Sequence, residues 1–296
     1  MMADWVIPIL GSAVVLGIYD VFKKHAVRDN SVFPVFFLAT LSGSVVFIAL
    51  TGIKSCFSPF ALDLTPGTLG LLFLKSLLVA TSWAFVYYGL RDLPVSIASP
   101  LRATAPLWSV LGAMVLYGEI PYGLQWPGML LIMTGCFLFT LIGRKENFSW
   151  RSRGIVCTMT GTLLGAASAL YDKFLIGAKH IDPVSLQFHF SWMLVVILGA
   201  ALLVYHFCFH GKSKFQWRWS ILITGVLLIL ADALYFYAVS QPDTRISILS
   251  LLRRSSVVVA FLAGGGIFKE KMLLSKGAVL LVILAGVAIL TLCKYS

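Results

Sequence analysis

Long apolar runs separated by short polar breaks cover the chain. A bilayer core about 30 Å thick needs about 20 apolar residues per helix. That ruler predicts ten spans: 5–22, 32–52, 66–90, 94–118, 122–143, 153–176, 184–209, 217–240, 244–268 and 273–293. The breaks, such as Lys23 to Asn30, Arg144 to Arg153 and Gly211 to Arg218, are too short to hold a soluble domain. The first run has no basic leader before it and no small-residue cleavage site after it. It is expected to stay as a first helix and not to be cleaved as a signal peptide.

The pattern also repeats. Tyr19-Asp20-x-Phe22 in span 1 returns as Tyr171-Asp172-x-Phe174 in span 6, 152 residues on. Ser96-Ile97-x-Ser99-x-Leu101-Arg102 opening span 4 returns as Ser247-Ile248-x-Ser250-x-Leu252-Arg253 opening span 9, 151 residues on. At that second offset Glu119 matches Glu270, and Gly135 matches Gly286. Five spans per repeat is an odd number, so the halves, residues 1–145 and 151–296, are expected to lie upside down relative to each other. The predicted fold is an all-α polytopic membrane protein of ten transmembrane helices in two inverted five-helix repeats. Such repeats mark secondary transporters, with the substrate site near mid-membrane where the halves meet.

Composition sharpens this picture. The 296 residues are 59% hydrophobic and 12% charged, with a mean hydropathy of +0.93. A soluble domain is about 25% charged, so a disordered chain, a nucleic-acid module and a soluble enzyme are excluded. The net charge of +11 belongs in loops, where it sets topology. Cys56, Cys136, Cys157, Cys208 and Cys293 are scattered singly and read as small apolar fillers. His206-x-Cys208-x-His210 lacks a third ligand at a fitting spacing and reads as interfacial, so no metal site and no cofactor are expected.

Two five-helix halves, with a glutamate at each fourth-to-fifth span junction (Gly118-Glu119 and Lys269-Glu270), resemble the EamA-like transporters of the drug/metabolite transporter superfamily. The resemblance covers nearly the whole chain and implies a multi-pass transporter of the cell membrane. The superfamily carries amino acids, drugs, sugars, nucleotide sugars and sugar phosphates, so the resemblance does not choose a substrate. Lys269 departs from the usual glycine before the second glutamate. Glu119 and Glu270 themselves read as hinge or loop anchors at helix C-ends.

Most lysines and arginines fall in loops or at predicted span ends; Lys75, Arg102, Arg253 and Arg254 do not. Charge at the bilayer centre costs at least about 2.5–3.5 kcal/mol and marks function by default. At 1.5 Å per residue, Arg102 lies roughly 12 Å into span 4 and Arg253 roughly 14 Å into span 9. As repeat mates, they are expected to face one cavity, with Ser99 and Ser250 one turn before them on the same faces. Pro106 cannot donate to the Arg102 carbonyl, which frees that oxygen. Arg254 and Lys75 have no basic mates and are candidates for specificity. The acids in spans are Asp20, Asp172 and Asp232. They either pair with the four cations and pin helices together, or gate the site and carry a coupling proton or ion. Four cations against three acids favour a small, anionic substrate held by arginine forks. The aromatics Trp83, Tyr87, Tyr88, Tyr235, Phe236 and Tyr237 line an amphipathic pocket, with Tyr88 and Tyr237 as substrate contacts, or form core and interfacial belt.

The expected activity is secondary transport of a small polar metabolite across the lipid bilayer, with no nucleic acid and no required oligomer. A flippase for a lipid-linked substrate is the alternative. An intramembrane enzyme is disfavoured, because H-E-x-x-H, G-x-S-x-G and a nucleophile beside a base are all missing. No P-loop occurs either, so uphill movement must draw on an ion gradient or exchange. On orientation two arguments conflict. The tails and the 2–3, 4–5, 6–7 and 8–9 connections hold only Lys54, Lys173, Lys179, Arg245 and Lys294, and the other loop bases lie on the opposite side. The positive-inside rule then puts both termini outside, whereas the family resemblance implies termini in the cytoplasm.

Overall fold

The computed structural model describes residues 5–55, 65–118, 123–145, 152–175, 179, 183–209, 215–239, 252–253, 255–270 and 272–292. The helices are α1 (Val6–Val27), α2 (Val32–Ser55), α3 (Pro66–Asp92), α4 (Val95–Ala103), α5 (Ala105–Tyr117) and α6 (Gln125–Lys145), then α7 (Arg153–Lys173), α8 (Pro183–Phe209), α9 (Trp219–Val239), α10 (Ser256–Ile267) and α11 (Leu273–Leu292). No strand occurs among the described residues. Within α1, α2, α3, α7 and α8 lie five stretches long and apolar enough to cross a membrane. Large apolar side chains such as Val115, Phe207 and Leu274 point outward, where lipid and not water would meet them.

Span 4 is two helices and not one. The chain breaks at Thr104, between α4 and α5. Pro106 removes one hydrogen-bond donor there, and the Thr104 hydroxyl donates back to the Leu101 carbonyl at 2.7 Å. The same hook stands 151 residues on, where the Ser255 hydroxyl donates to the Leu252 carbonyl at 2.6 Å. Backbone bonds repeat with it: Leu107 N–H to Thr104 at 3.0 Å, and Val258 N–H to Ser255 at 2.9 Å. No proline follows Ser255, so there the hydroxyl holds the break without one. Each break comes directly after an arginine-bearing turn.

The first half packs chiefly on the second. α1 runs along α9, α3 along α7, and α6 along α11; α2 and α8 close the flanks against α9 and α3. Small residues permit the close approach. Gly135 of α6 faces Ile283 of α11, and Gly286 of α11 faces Ile132 of α6. A Cβ at Gly286 would stand 2.8 Å from the Gly128 carbonyl oxygen, a backbone atom that cannot swing away. Gly286→Ala is therefore expected to cost about 1–3 kcal/mol by overpacking, read as a lower melting temperature in detergent.

Three lysines correct the loop assignment. α1 continues five residues beyond the predicted span end at Phe22, so Lys23 and Lys24 are helical and buried, as is Lys276 in α11. Lys24 donates to the carbonyls of Leu90 and Leu93 at 2.5 and 2.7 Å and so closes the C-terminal end of α3. Lys276 donates to the Ser96 hydroxyl at 3.0 Å. Glu270 accepts from the Val95 and Ser96 N–H groups at 2.7 and 2.9 Å, capping α4 where its dipole favours an anion. The glutamate read as an anchor thus anchors the start of a helix in the other half. Glu119 lies outside the described residues.

Candidate functional site

A cavity of about 280 Å³ opens among α2, α3, α7, α8 and α9. Its charged walls locate it along the bundle. Lys75 is in the third turn of α3 and Asp172 is next to last in α7. Asp232 is fourteenth of the 21 residues of α9. The cavity therefore lies toward the end bearing the 2–3, 6–7 and 8–9 connections. The opposite end is the one sealed by Lys24, Glu270 and Lys276.

Every described midplane cation has an acid. Lys75 pairs with Asp172, Arg253 pairs with Asp232, and Arg102 holds Asp20 at 2.7 Å. Lys75, Asp172 and Asp232 line the cavity; Arg102 and Arg253 do not. Arg253 stands one ion pair behind the wall, over the Tyr235 ring at 4.2 Å. Its Nε is buried without a hydrogen-bond partner, and so is the Ser99 hydroxyl. Orphaned buried donors are uncommon in native interiors, so the Arg253 Nε is a donor with capacity to spare. Arg254 and Ser250 lie outside the described residues.

The two tyrosines chosen as substrate contacts are elsewhere. Tyr88 sits near the C-terminal end of α3 against Phe33, which in turn meets Tyr205, with the Arg91 and Arg153 guanidinium groups 5.0 and 5.2 Å from the Tyr88 ring. Tyr237 is 56% exposed. Neither lines the cavity. Trp83 does, and it begins a column of rings that the sequence left undivided between pocket and core. Trp83 meets Phe190 edge-on at 6.4 Å and Phe36 at 6.3 Å, and Phe36 stacks on Tyr87 at 4.6 Å. The cavity-side end carries the Lys75 ammonium 5.3 Å from Phe190. At the deep end, the Lys23 ammonium stands 4.1 Å from Tyr87. Lys23 was missed because a basic pair after an apolar run reads as a helix end. Its signal was the repeat: Leu175 occupies the matching place, at offset 152, in the middle of an apolar run.

The walls offer ionic and hydrogen-bonding groups beside two aromatic faces, which can bind a ligand. Among the described residues no three His, Cys, Asp or Glu side chains gather to hold a metal ion. Residues 4–141 match the EamA-like transporter family. That segment, a little under half of the chain, is similar to the family. The EamA-like segment contains Asp20, Lys75 and Arg102, while Asp172, Asp232 and Arg253 lie beyond it. EamA-like proteins are membrane transporters, which agrees with the apolar helices. A solved structure titled only as the crystal structure of a protein superposes on 99% of this chain and 100% of its own, with a TM-score of 0.64. At 15% identity that likeness is one of fold. No curated protein matches the chain.

Proposed function

We propose that the protein is a secondary transporter that moves a small dipolar solute by alternating access, with the cavity as its binding site. The observation that carries the reading is the pair of opposed ion pairs at one cavity, Lys75–Asp172 and Asp232–Arg253. A solute with one positive and one negative group can exchange partners with the wall, its cation meeting Asp232 or Asp172 and its anion meeting Lys75. A purely anionic solute would have to strand a carboxylate in a low-dielectric site, which is costly. The proposal therefore replaces the anionic cargo expected from charge arithmetic with a dipolar one. The volume of about 280 Å³ sits at the small end of ligand pockets.

Symmetry supports the transport cycle. Exchanging the halves turns the α1–α9 contact into the α7–α3 contact, and maps the α6–α11 contact onto itself. The Gly135–Ile283 and Gly286–Ile132 contacts exchange in the same way, as do the Thr104 and Ser255 hooks. The charged pairs do not. Asp20 holds Arg102, but its mate Asp172 holds Lys75, and Arg253 turns to Asp232. The scaffold contacts can exchange under the repeat relation, which is what alternating access requires, while the sequence-fixed charged pairs make the site itself one-sided.

Counterflow tests this. Proteoliposomes loaded with a mixture of zwitterionic, anionic and neutral small metabolites should exchange a zwitterion across the membrane. Exchange confined to anions, or no exchange above protein-free vesicles, overturns the proposal. Orientation has its own readout. The positive-inside rule puts the sealed end in the cytoplasm and the termini outside. A reporter after Ser296 that fluoresces only in the cytoplasm should then stay dark, and a bright fusion reverses the orientation.

A further inference from the structure

Lys23 is a buried cation that the ion pairs leave unused. It is 2% exposed, and among the described residues no carboxylate lies within ion-pair distance of it. Its Nζ donates to the Tyr19 hydroxyl at 3.1 Å and lies 4.1 Å from the centre of the Tyr87 ring. The charged groups that face it are Asp20 on its own helix and Arg102 on α4. Asp20 is committed to Arg102 at 2.7 Å, and the Arg102 guanidinium repels a second cation. Lys24, its neighbour, turns to the α3 carbonyls. Of the other helices packed on α1, α10 carries no charged residue, α9 carries only Asp232, which Arg253 holds, α2 carries only Lys54 near its C-terminus, and α3, which presents Tyr87, carries Lys75, Arg91 and Asp92, all held in ion pairs.

The ring column explains why this matters. Phe190, Trp83, Phe36 and Tyr87 stand between the cavity and Lys23, and the sealed end lies beyond it. Two ring faces and one neutral hydroxyl do not replace the hydration of an ammonium. The neutral amine fits this conformation; the ammonium fits one in which water reaches Lys23 from the end now sealed. A group whose two protonation states favour different conformations couples the proton to the movement.

We propose that Lys23 is the proton-binding residue of the transport cycle, loaded and unloaded through the end of the bundle that is sealed here. This rests on the transporter reading above. When that end opens, the ammonium passes one Nζ proton to water, giving hydronium and a neutral amine. As the column closes, the neutral amine donates one of its remaining N–H groups to the Tyr19 hydroxyl oxygen. The carboxylates expected to carry a coupling proton, Asp20 and Asp172, are instead engaged in ion pairs with Arg102 and Lys75.

Cysteine accessibility tests this without knowledge of the cargo. The five native cysteines are replaced, and Val27→Cys, a buried position at the sealed end, is alkylated with N-ethylmaleimide. Rates are taken relative to denatured protein at the same pH, which cancels thiolate ionisation. Alkylation should be at least tenfold faster at pH 6 than at pH 9. Lys23→Met should make it slow at both, and Lys23→Arg fast at both. A pH response that persists in either variant overturns the assignment and leaves the transporter reading standing. If Lys23→Met does not fold, the arginine variant decides. Failure of every variant to react at any pH overturns alternating access, and the Lys23 proposal with it.

Discussion

Arg102→Ala is expected to cost the folded protein about 3–5 kcal/mol, the usual result of removing one partner from a buried pair. The cost arises at the acid. Asp20 is 6% exposed in its side chain, whereas Arg102 is 29% exposed. Without the guanidinium, the carboxylate is left ionised in apolar surroundings or must take up a proton. Melting in detergent measures the loss. The double variant Asp20→Asn with Arg102→Met should regain most of it, since neither side then buries an unpaired charge. A double variant as unstable as the single one would mean that Arg102 acts through packing alone.

Lys75→Met should behave in the opposite way, folding normally and failing to transport. Asp172, the partner left behind, is 36% exposed at the cavity wall and stays hydrated when the lysine goes. The cargo loses a charged contact, and truncating one side of a buried charge pair costs about 2–5 kcal/mol of binding. At 1.4 kcal/mol per tenfold, that is a loss of roughly 30-fold to several thousand-fold in affinity. Counterflow at rising solute concentration reads the loss, with the melting temperature as control. Wild-type transport in Lys75→Met would remove the ion pair from the binding site.

The all-helical, apolar character of the chain was legible because its signals are local. Apolar runs of bilayer length and a constant offset between matching motifs need no knowledge of three-dimensional contact. Lys75, Arg102, Arg253, Asp20, Asp172 and Asp232 were found for the same reason, since a charge inside an apolar run stands out wherever it points. Who pairs with whom was not legible. Arg102 reaches across 82 residues to Asp20 and Lys75 across 97 to Asp172, and the repeat would have given Asp172 to Arg253. The break at Thr104 was half legible through Pro106, but the Ser255 hook leaves no such mark. That Tyr88 and Tyr237 would lie away from the cavity was not legible either, because an aromatic residue suits pocket, core and lipid face alike, and only packing separates these.

The interleaving of the halves also sets a timetable for synthesis. α1 finds its main partner in α9, α3 in α7, and α6 in α11. When α6 has entered the membrane, Lys75 has yet to meet Asp172 and Gly135 has yet to meet Ile283. At about 5–20 residues per second, the second half takes roughly 7–30 seconds to follow. During that interval the first half holds a lysine without its acid and a glycine groove filled by lipid. A ribosome that stalls between the halves leaves in the bilayer a chain marked by its unpaired charge, which membrane quality control can recognise before the bundle ever closes.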